Sequence, residues 1–272
     1  MHFRKLTIPE RLNVPAAFWC SVRYLNRRIT GIDKPFCFHT MEITGKTIVV
    51  TGASQGIGFA IAKTLIEQGA TVIGLARSAS KLDQAVTELG NRFNAVSLDV
   101  TSFDAVQSWA ESLQAPVHAL INNAGIGLWK NLELTSAEEW NTVMRVNVDG
   151  VFNVTRSLLP KILATAGTKH IISISSVAGL IGNPGLTAYN ASKFAIRGFS
   201  EALMKELRTQ HIKVSCVYPG SVDTPFFDKI NMPVSKNALR PGDVADAVSY
   251  LLKTPDHVLV DELVIRPANP NG

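Results

Sequence analysis

The run K-T-I-V-V-T-G-A-S-Q-G-I-G, Lys46 to Gly58, constrains this chain more than any other stretch. Lys46 to Thr51 is short, apolar and β-branched, the pattern of a buried parallel strand. Gly52 ends it. Gly56 and Gly58 follow, and Phe59 to Gln68 carries helical spacing, with Ile57, Ile61, Leu65 and Ile66 as apolar positions. A strand, a glycine turn and a helix start aim backbone N–H groups at one spot, with the positive end of the helix dipole behind them. A phosphate or pyrophosphate fits there. One glycine makes the turn, one lets the backbone approach a ligand, and one lets the helix pack on the strand. The spacing is G-x-x-x-G-x-G, not G-x-G-x-x-G, and on this motif alone a structural turn without a ligand stays open.

The pattern that follows alternates strand and helix. Strands are expected over Ala70 to Ala76, Phe93 to Leu98, Val117 to Ile121, His170 to Ser175, Ile212 to Tyr218 and within Val258 to Ile265. Helices are expected over Ser80 to Leu89, Ser102 to Leu113, Tyr189 to Thr209 and Asp243 to Leu252. A long helix starts at Ser136, with Glu139 completing a capping box, and runs to about Leu163 with interruptions at Gly150 and Pro160. Repeated βαβ units mean an α/β fold: a doubly wound parallel sheet of about seven strands, with helices on both faces. Ligands of such sheets bind at the carboxyl ends of the strands, where the winding reverses.

The chain has 272 residues, 46% of them hydrophobic, which suits one large domain. No apolar run is long enough to span a membrane. Cys20, Cys37 and Cys216 are far apart, so reduced thiols in a cytoplasmic setting are expected, and no metal site is expected from the cysteines or the six histidines. The net charge of +5 lies wholly in residues 1–40, which hold seven basic and two acidic residues; the rest has 20 of each and gives no charge argument for a nucleic-acid partner. In that basic N-terminal extension Phe18, Val22, Leu25, Ile29 and Ile32 have helical spacing, with Arg23, Arg27 and Arg28 off the stripe. A true start at Met41, an organellar targeting segment and a membrane-surface or partner helix all stay open. The expected domain is 41–272.

The turns after the strands carry T-G-A-S-Q-G-I-G (Thr51 to Gly58), Asp99–Val100, N-N-A-G (Asn122 to Gly125), Asn147, Ser176, Y-N-A-S-K (Tyr189 to Lys193) and P-G-S-V-D-T (Pro219 to Thr224). In these motifs, their order and their spacing, residues 42–266 resemble a short-chain dehydrogenase/reductase of the compact single-domain type. The resemblance implies a Rossmann-type sheet and an oxidoreductase that interconverts a carbonyl and an alcohol (CH–OH) by hydride transfer with a nicotinamide cofactor.

The residues support that chemistry on their own terms. Tyr189 and Lys193 stand at i and i+4 on one helix face. A free tyrosine, with a pKa of about 10, is a poor acid–base catalyst near neutrality. A neighbouring ammonium favours phenolate, and bringing the pKa to about 7 represents roughly 4 kcal/mol. Ser176, just past a strand end, can hold a substrate carbonyl or its developing oxyanion, a role for which Ser173 and Ser175 compete.

What the resemblance implies goes further. It selects Ser176 by its spacing to Tyr189. Tyr189 is then general acid in reduction and base in oxidation, and Lys193 tunes it and binds the nicotinamide ribose. Asn147 holds a water that links Lys193 to solvent. Gly52, Ser54, Gln55, Gly56, Ile57 and Gly58 form the cofactor's phosphate turn. Asp99 and Val100 meet the adenine, Asn123 lies along the cofactor and ties the sheet, and Val222 and Thr224 touch the carboxamide. A homodimer or homotetramer through the helices of Asn147 and Tyr189 is implied as well.

An NAD enzyme usually places a carboxylate at the end of the second strand, to accept from the ribose 2′-OH. Ala76 stands there and Arg77 follows, the natural partner of a 2′-phosphate. NADP(H) is therefore expected over NAD(H), although Gln55 stands where many NADP-preferring relatives carry Lys or Arg. Gly127 to Leu132, Gly179 to Leu186 and the stretch after Thr224 with Pro225, Phe226, Phe227, Ile230, Met232 and Pro233 are largely apolar and point to an apolar small-molecule substrate. Phe226 to Asn237 has the composition of a lid. The 48 residues after Thr224 leave no room for a separate substrate domain. A cofactor-binding sensor or scaffold without turnover is the alternative; the intact Asn147, Ser176, Tyr189 and Lys193 favour the enzyme.

Overall fold

A computed structural model describes residues 40–226 and 236–269. The expectations for residues 1–39 and for most of the lid, with Phe227, Ile230, Met232 and Pro233, lie outside them. Seven strands, β1 (Thr47–Thr51), β2 (Thr71–Ala76), β3 (Phe93–Ser97), β4 (Ala119–Asn122), β5 (Lys169–Ile174), β6 (Ile212–Pro219) and β7 (Glu262–Ile265), form one sheet in the order β3-β2-β1-β4-β5-β6-β7. Every neighbouring pair is parallel. The order reverses between β1 and β4, so the crevice of this sheet opens beyond Thr51 and Asn122.

The strands sort their side chains by alternation. Ile48, Val50, Val72, Ile121 and Ile172 point to one face. There they pack on Ile61 and Leu65 of α1 (Gly56–Glu67), Leu82 of α2 (Ala79–Leu89) and Val244, Val248 and Leu251 of α7 (Pro241–Leu252). Val49, Ile73, Leu120 and Ile171 point to the other. There they meet Val106 of α3 (Phe103–Ser112), Val154, Leu158 and Ile162 of α5 (Gly150–Ala164), and Leu203 and Leu207 of α6 (Thr187–Leu207). In β1, β2, β4, β5 and β6 residues buried on both faces explain the near-continuous apolar runs, whereas the edge strands β3 and β7 are partly exposed.

Most boundaries shift by one or two residues; two regions differ more. α1 begins at Gly56, not Phe59; Gly56 still has φ +59°, and Gly58 lies within the helix. The long helix is not interrupted at Gly150 or Pro160. Its first part, α4 (Ala137–Met144), starts in the expected capping box: the Ser136 hydroxyl accepts from the Glu139 amide (3.1 Å) and the Glu139 carboxylate from the Ser136 amide (2.9 Å). It then widens into a π-turn over Arg145–Asp149 and continues as α5. Pro160 is exposed between the buried Leu158 and Ile162, so the backbone bond it cannot donate is lost on the solvent side while its neighbours hold the helix in place. Gly150 is needed for contact: a Cβ there would lie 2.8 Å from a Val100 methyl.

Candidate active site

Beyond the carboxyl ends of β1, β4, β5 and β6 lies a cleft of about 980 Å³. The glycine turn makes one wall. Gly52 has φ +67°, a region L side chains rarely adopt, and a Cβ there would meet the Asn123 amide at 2.9 Å. A Cβ on Gly58 would lie 2.3 Å from the Gly52 carbonyl oxygen. Helix α1 therefore packs against the turn only through a glycine. Gly56 faces Thr224 across the cleft, with a Cβ position 3.6 Å from its side chain. Asn123 binds the two strand ends together: its amide N–H₂ donates to the Thr51 carbonyl (2.9 Å) and its backbone N–H donates to the Thr51 hydroxyl (2.9 Å).

Of the expected residues, Gly52, Ser54, Gln55, Gly56, Ile57, Arg77, Asp99, Val100, Asn123, Ser176, Tyr189, Lys193, Val222 and Thr224 all line this one cleft. Gly58 and Asn147 stand behind its wall. Asp99 sits in a local turn, its carboxylate accepting from the Thr101 amide (2.9 Å), and does not cap α3, whose first turn follows Ser102. Thr224 donates weakly to the Val222 carbonyl (3.4 Å).

At the other end of the cleft the three competing serines separate. Ser173 is buried within β5, and the Ser175 hydroxyl donates to the Lys193 carbonyl (3.1 Å). Ser176 follows the strand end, accepts from the Ala178 amide (3.1 Å) and lies close enough to the Tyr189 phenol to favour its ionised form. The Lys193 ammonium lies 5.6 Å from the centre of the Tyr189 ring and donates to the Ile174 carbonyl (3.1 Å). The Phe226 ring stands over Tyr189, centroids 5.8 Å apart.

The electrostatics depart from the expectation of a lowered tyrosine. Burial pushes the Tyr189 phenol up to about 12, against the opposing pull of the Ser176 hydrogen bond. Burial also pulls the Lys193 ammonium down to about 8, with the Cys216 thiol acting the other way. Burial is the largest cause at both groups. The phenol is therefore protonated at neutral pH.

Asn147, in the π-turn, is buried and fully engaged. Its amide oxygen accepts from the Ile126 N–H (2.8 Å), and its amide N–H₂ donates to the Ile126 carbonyl (2.9 Å) and to the Ser192 hydroxyl (2.9 Å). Ser192 in turn donates to the Tyr189 carbonyl (2.7 Å). Gly125 separates Asn147 from Lys193; a Cβ on it would lie 3.3 Å from the Asn147 oxygen and 3.6 Å from the Lys193 nitrogen. Ser192 escapes sequence reasoning, because nothing in Y-N-A-S-K distinguishes its serine from a solvated one. Lys81, which also lines the cleft, escapes it too; its position four residues after Arg77 is the one available signal.

This cleft suits an elongated cofactor. Backbone N–H groups of the glycine turn, cations at Arg77 and Lys81 and the apolar Ile57 and Val100 line one part. Lys193, Val222 and Thr224 line the part next to Ser176 and Tyr189.

Comparison with known proteins gives the same reading. The chain is 34% identical over 229 residues to an oxidoreductase of Staphylococcus epidermidis that is itself uncharacterized, covering 83% of this chain and 99% of the relative. It is 39% identical over 227 residues to nodulation protein G of a Rhizobium species, covering 77% and 90%. The fold is similar to a 3-ketoacyl-(acyl-carrier-protein) reductase from Brucella melitensis complexed with NADH, with a TM-score of 0.76, 29% identity and coverage of 83% and 98%. A serine dehydrogenase complexed with NADP+ matches at a TM-score of 0.74 and 31% identity, covering 80% and 94%. The family model for short chain dehydrogenases matches residues 46–234. With that match spanning most of the sheet and the whole cleft, the chain belongs to the short-chain dehydrogenase family.

Proposed function

We propose that this protein is an NADP(H)-dependent oxidoreductase that interconverts an apolar carbonyl compound and its alcohol. The observation that carries the reading is the meeting of Ser176, Tyr189 and Lys193 at one end of a cleft whose other end is the glycine turn. A nicotinamide cofactor bound there supplies or accepts the hydride. The Ser176 hydroxyl orients the reacting oxygen. In reduction the Tyr189 phenol delivers its proton to that oxygen; in oxidation the phenolate takes it back. Lys193 holds the cofactor ribose and stabilises the phenolate. Asn147 is a positioning residue, since its bonds run to Ile126 and Ser192.

Ile126, Trp129, Val177, Leu186 and Phe226 line the same cleft, with Phe226 against Tyr189. Their apolar character favours an apolar substrate. The absence of a carboxylate at Ala76 and the presence of Arg77 favour NADP(H). Exposed Phe152 on α5 and Phe194 on α6 suit a homodimer or homotetramer built on those helices. The buried thiol of Cys216 suits a reducing, cytoplasmic setting.

The test follows NADPH and NADH oxidation with a panel of aldehydes, quinones, ketosteroids, 3-keto acyl thioesters and sugars. Turnover is expected with an apolar member and NADPH. Tyr189→Phe is expected to bind NADPH as the wild type does and to lose at least about 10³-fold in kcat. Wild-type turnover by Tyr189→Phe would end the acid–base assignment.

A further inference from the structure

The second cation at the ribose end of the cleft is not where a sequence motif would put it. Gln55 immediately precedes α1 in an extended conformation (φ −165°, ψ 168°). Lys81 lies in the first turn of α2, where its backbone N–H donates to the Ser78 hydroxyl (3.4 Å). Its ammonium crosses the gap between the two helix starts and donates to the Gln55 side-chain oxygen. Arg77 stands between them in sequence, its carbonyl accepting from the Ser97 hydroxyl (3.3 Å), so the segment is tied to β3 as well as to α2. Gln55, Arg77, Ser78 and Lys81 all line the cleft.

The chemistry of this corner is one-sided. It holds a guanidinium, an ammonium, a hydroxyl and an amide, while the cleft's described carboxylate, Asp99, is engaged by the Thr101 amide. A neutral ribose 2′-OH needs an acceptor, and the residue at the strand end is Ala76. A phosphomonoester needs donors and positive charge. A bare lysine on a surface helix is a poor partner, because its flexible stem must be ordered first. The Gln55 oxygen does that ordering: it holds one of the three ammonium N–H groups and leaves two to turn toward a ligand.

We propose that Lys81 is a specificity-determining residue for the 2′-phosphate of NADP(H), with Gln55 as its positioning residue. This rests on the NADP(H) reading above. The Gln55–Lys81 pair then does together what a single basic residue at position 55 would do alone. Arg77 grips the phosphate from β2, and Lys81 from the first turn of α2.

The experiment titrates the full chain with 2′,5′-ADP and with 5′-AMP by calorimetry, so that no turnover is needed. The wild type is expected to prefer 2′,5′-ADP by at least about tenfold. Lys81→Gln should cut that preference about five- to tenfold, and Lys81→Arg should keep most of it. Gln55→Leu should cut it about threefold, and the Lys81→Gln, Gln55→Leu double variant should lose no more than Lys81→Gln, because Gln55 acts through Lys81. A Lys81→Gln preference within about twofold of wild type, with Arg77→Gln losing it, would overturn the role of Lys81 and leave the NADP(H) reading standing. A wild type that binds 5′-AMP as well as 2′,5′-ADP would overturn both.

Discussion

Lys193 and Lys213 are both buried, and the contrast between them separates the working part of the molecule from the part that supports it. Lys213 sits near the start of β6 and commits all of its donors to the protein. It reaches the Thr254 carbonyl at 3.0 Å, the Thr254 hydroxyl at 3.1 Å and the Pro255 carbonyl at 2.6 Å. Lys193 lies at the carboxyl end of the sheet and has a single such bond, to Ile174, among the described residues. An ammonium has three N–H groups. One lysine is a staple that fastens the segment after α7 to the sheet. The other is held at one point and aimed into the cleft. Burial lowers the pKa of both; what distinguishes them is how their hydrogen bonds are used.

Replacing each with Met is the most forceful way to break the comparison. Lys193→Met is expected to lower kcat/KM about 10³-fold while urea unfolding changes by less than about 1 kcal/mol. Lys213→Met leaves buried acceptors without their donor and is expected to reduce stability by about 2–3 kcal/mol, with kcat/KM of the folded protein within about twofold. Steady-state kinetics and urea denaturation on both variants check this. Loss of activity in a stable Lys213 variant would remove the distinction.

A smaller effect concerns His170, which neighbours Lys213. Its Nε2 pairs with the Ser215 hydroxyl (2.8 Å), and that hydroxyl donates onward to the Val260 carbonyl. The serine proton is therefore engaged, so His170 donates through Nε2–H, and Nδ1 is the bare nitrogen, with no partner among the described residues. Burial, with Lys213 adding to it, lowers the His170 pKa to about 3. The unfolded chain binds this proton near the ordinary histidine value of about 6.5, and the folded chain does not. The preference for the folded state is fully present above that pH and is lost as pH falls toward about 3, by up to about 1.4 kcal/mol per unit. Urea midpoints from about pH 7.5 down to about pH 5 should fall less steeply for His170→Leu than for the wild type. Equal slopes would mean that His170 is not the group that titrates.

The sequence discloses these regions unequally, and the reason is range. The strand, turn and helix at Thr47–Glu67 are legible because alternation, helical spacing and glycine act within a few residues of one another. Ser136 and Glu139 are legible for the same reason. The π-turn at Asn147 is not, because a hydrogen-bond shift by one residue has no side-chain signature. The direction of the Tyr189 shift is not legible in Y-N-A-S-K, because spacing shows the nearby ammonium and hides the burial that raises the phenol. Lys81 and Gln55 are 26 residues apart, and only the side-by-side placement of two helix starts makes them partners. Lys213 and Thr254 are farther apart still, so a lysine that fastens the fold and a lysine aimed into the cleft look alike until the fold brings their acceptors into place.

The finest test of the contrast lies in Ser192, through which the cleft wall reaches the helix that carries Tyr189 and Lys193. Asn147 bonds to both groups of Ile126 and to Ser192, and Ser192 bonds to the Tyr189 carbonyl. That chain fixes the loop after β4 relative to the first turn of α6. Ser192→Ala removes two neutral hydrogen bonds from a fully buried position and adds no bulk. The cost is expected to be about 1–2 kcal/mol, or a Tm lower by roughly 2–8 °C. If the chain aligns Tyr189, kcat should fall about two- to fivefold with KM for NADPH unchanged, and Ser192→Thr, which keeps the hydroxyl, should recover most of it. If the chain only adds stability, Tm should fall with kcat intact. Ser192 would then belong with Lys213, among the fastenings, rather than with Lys193.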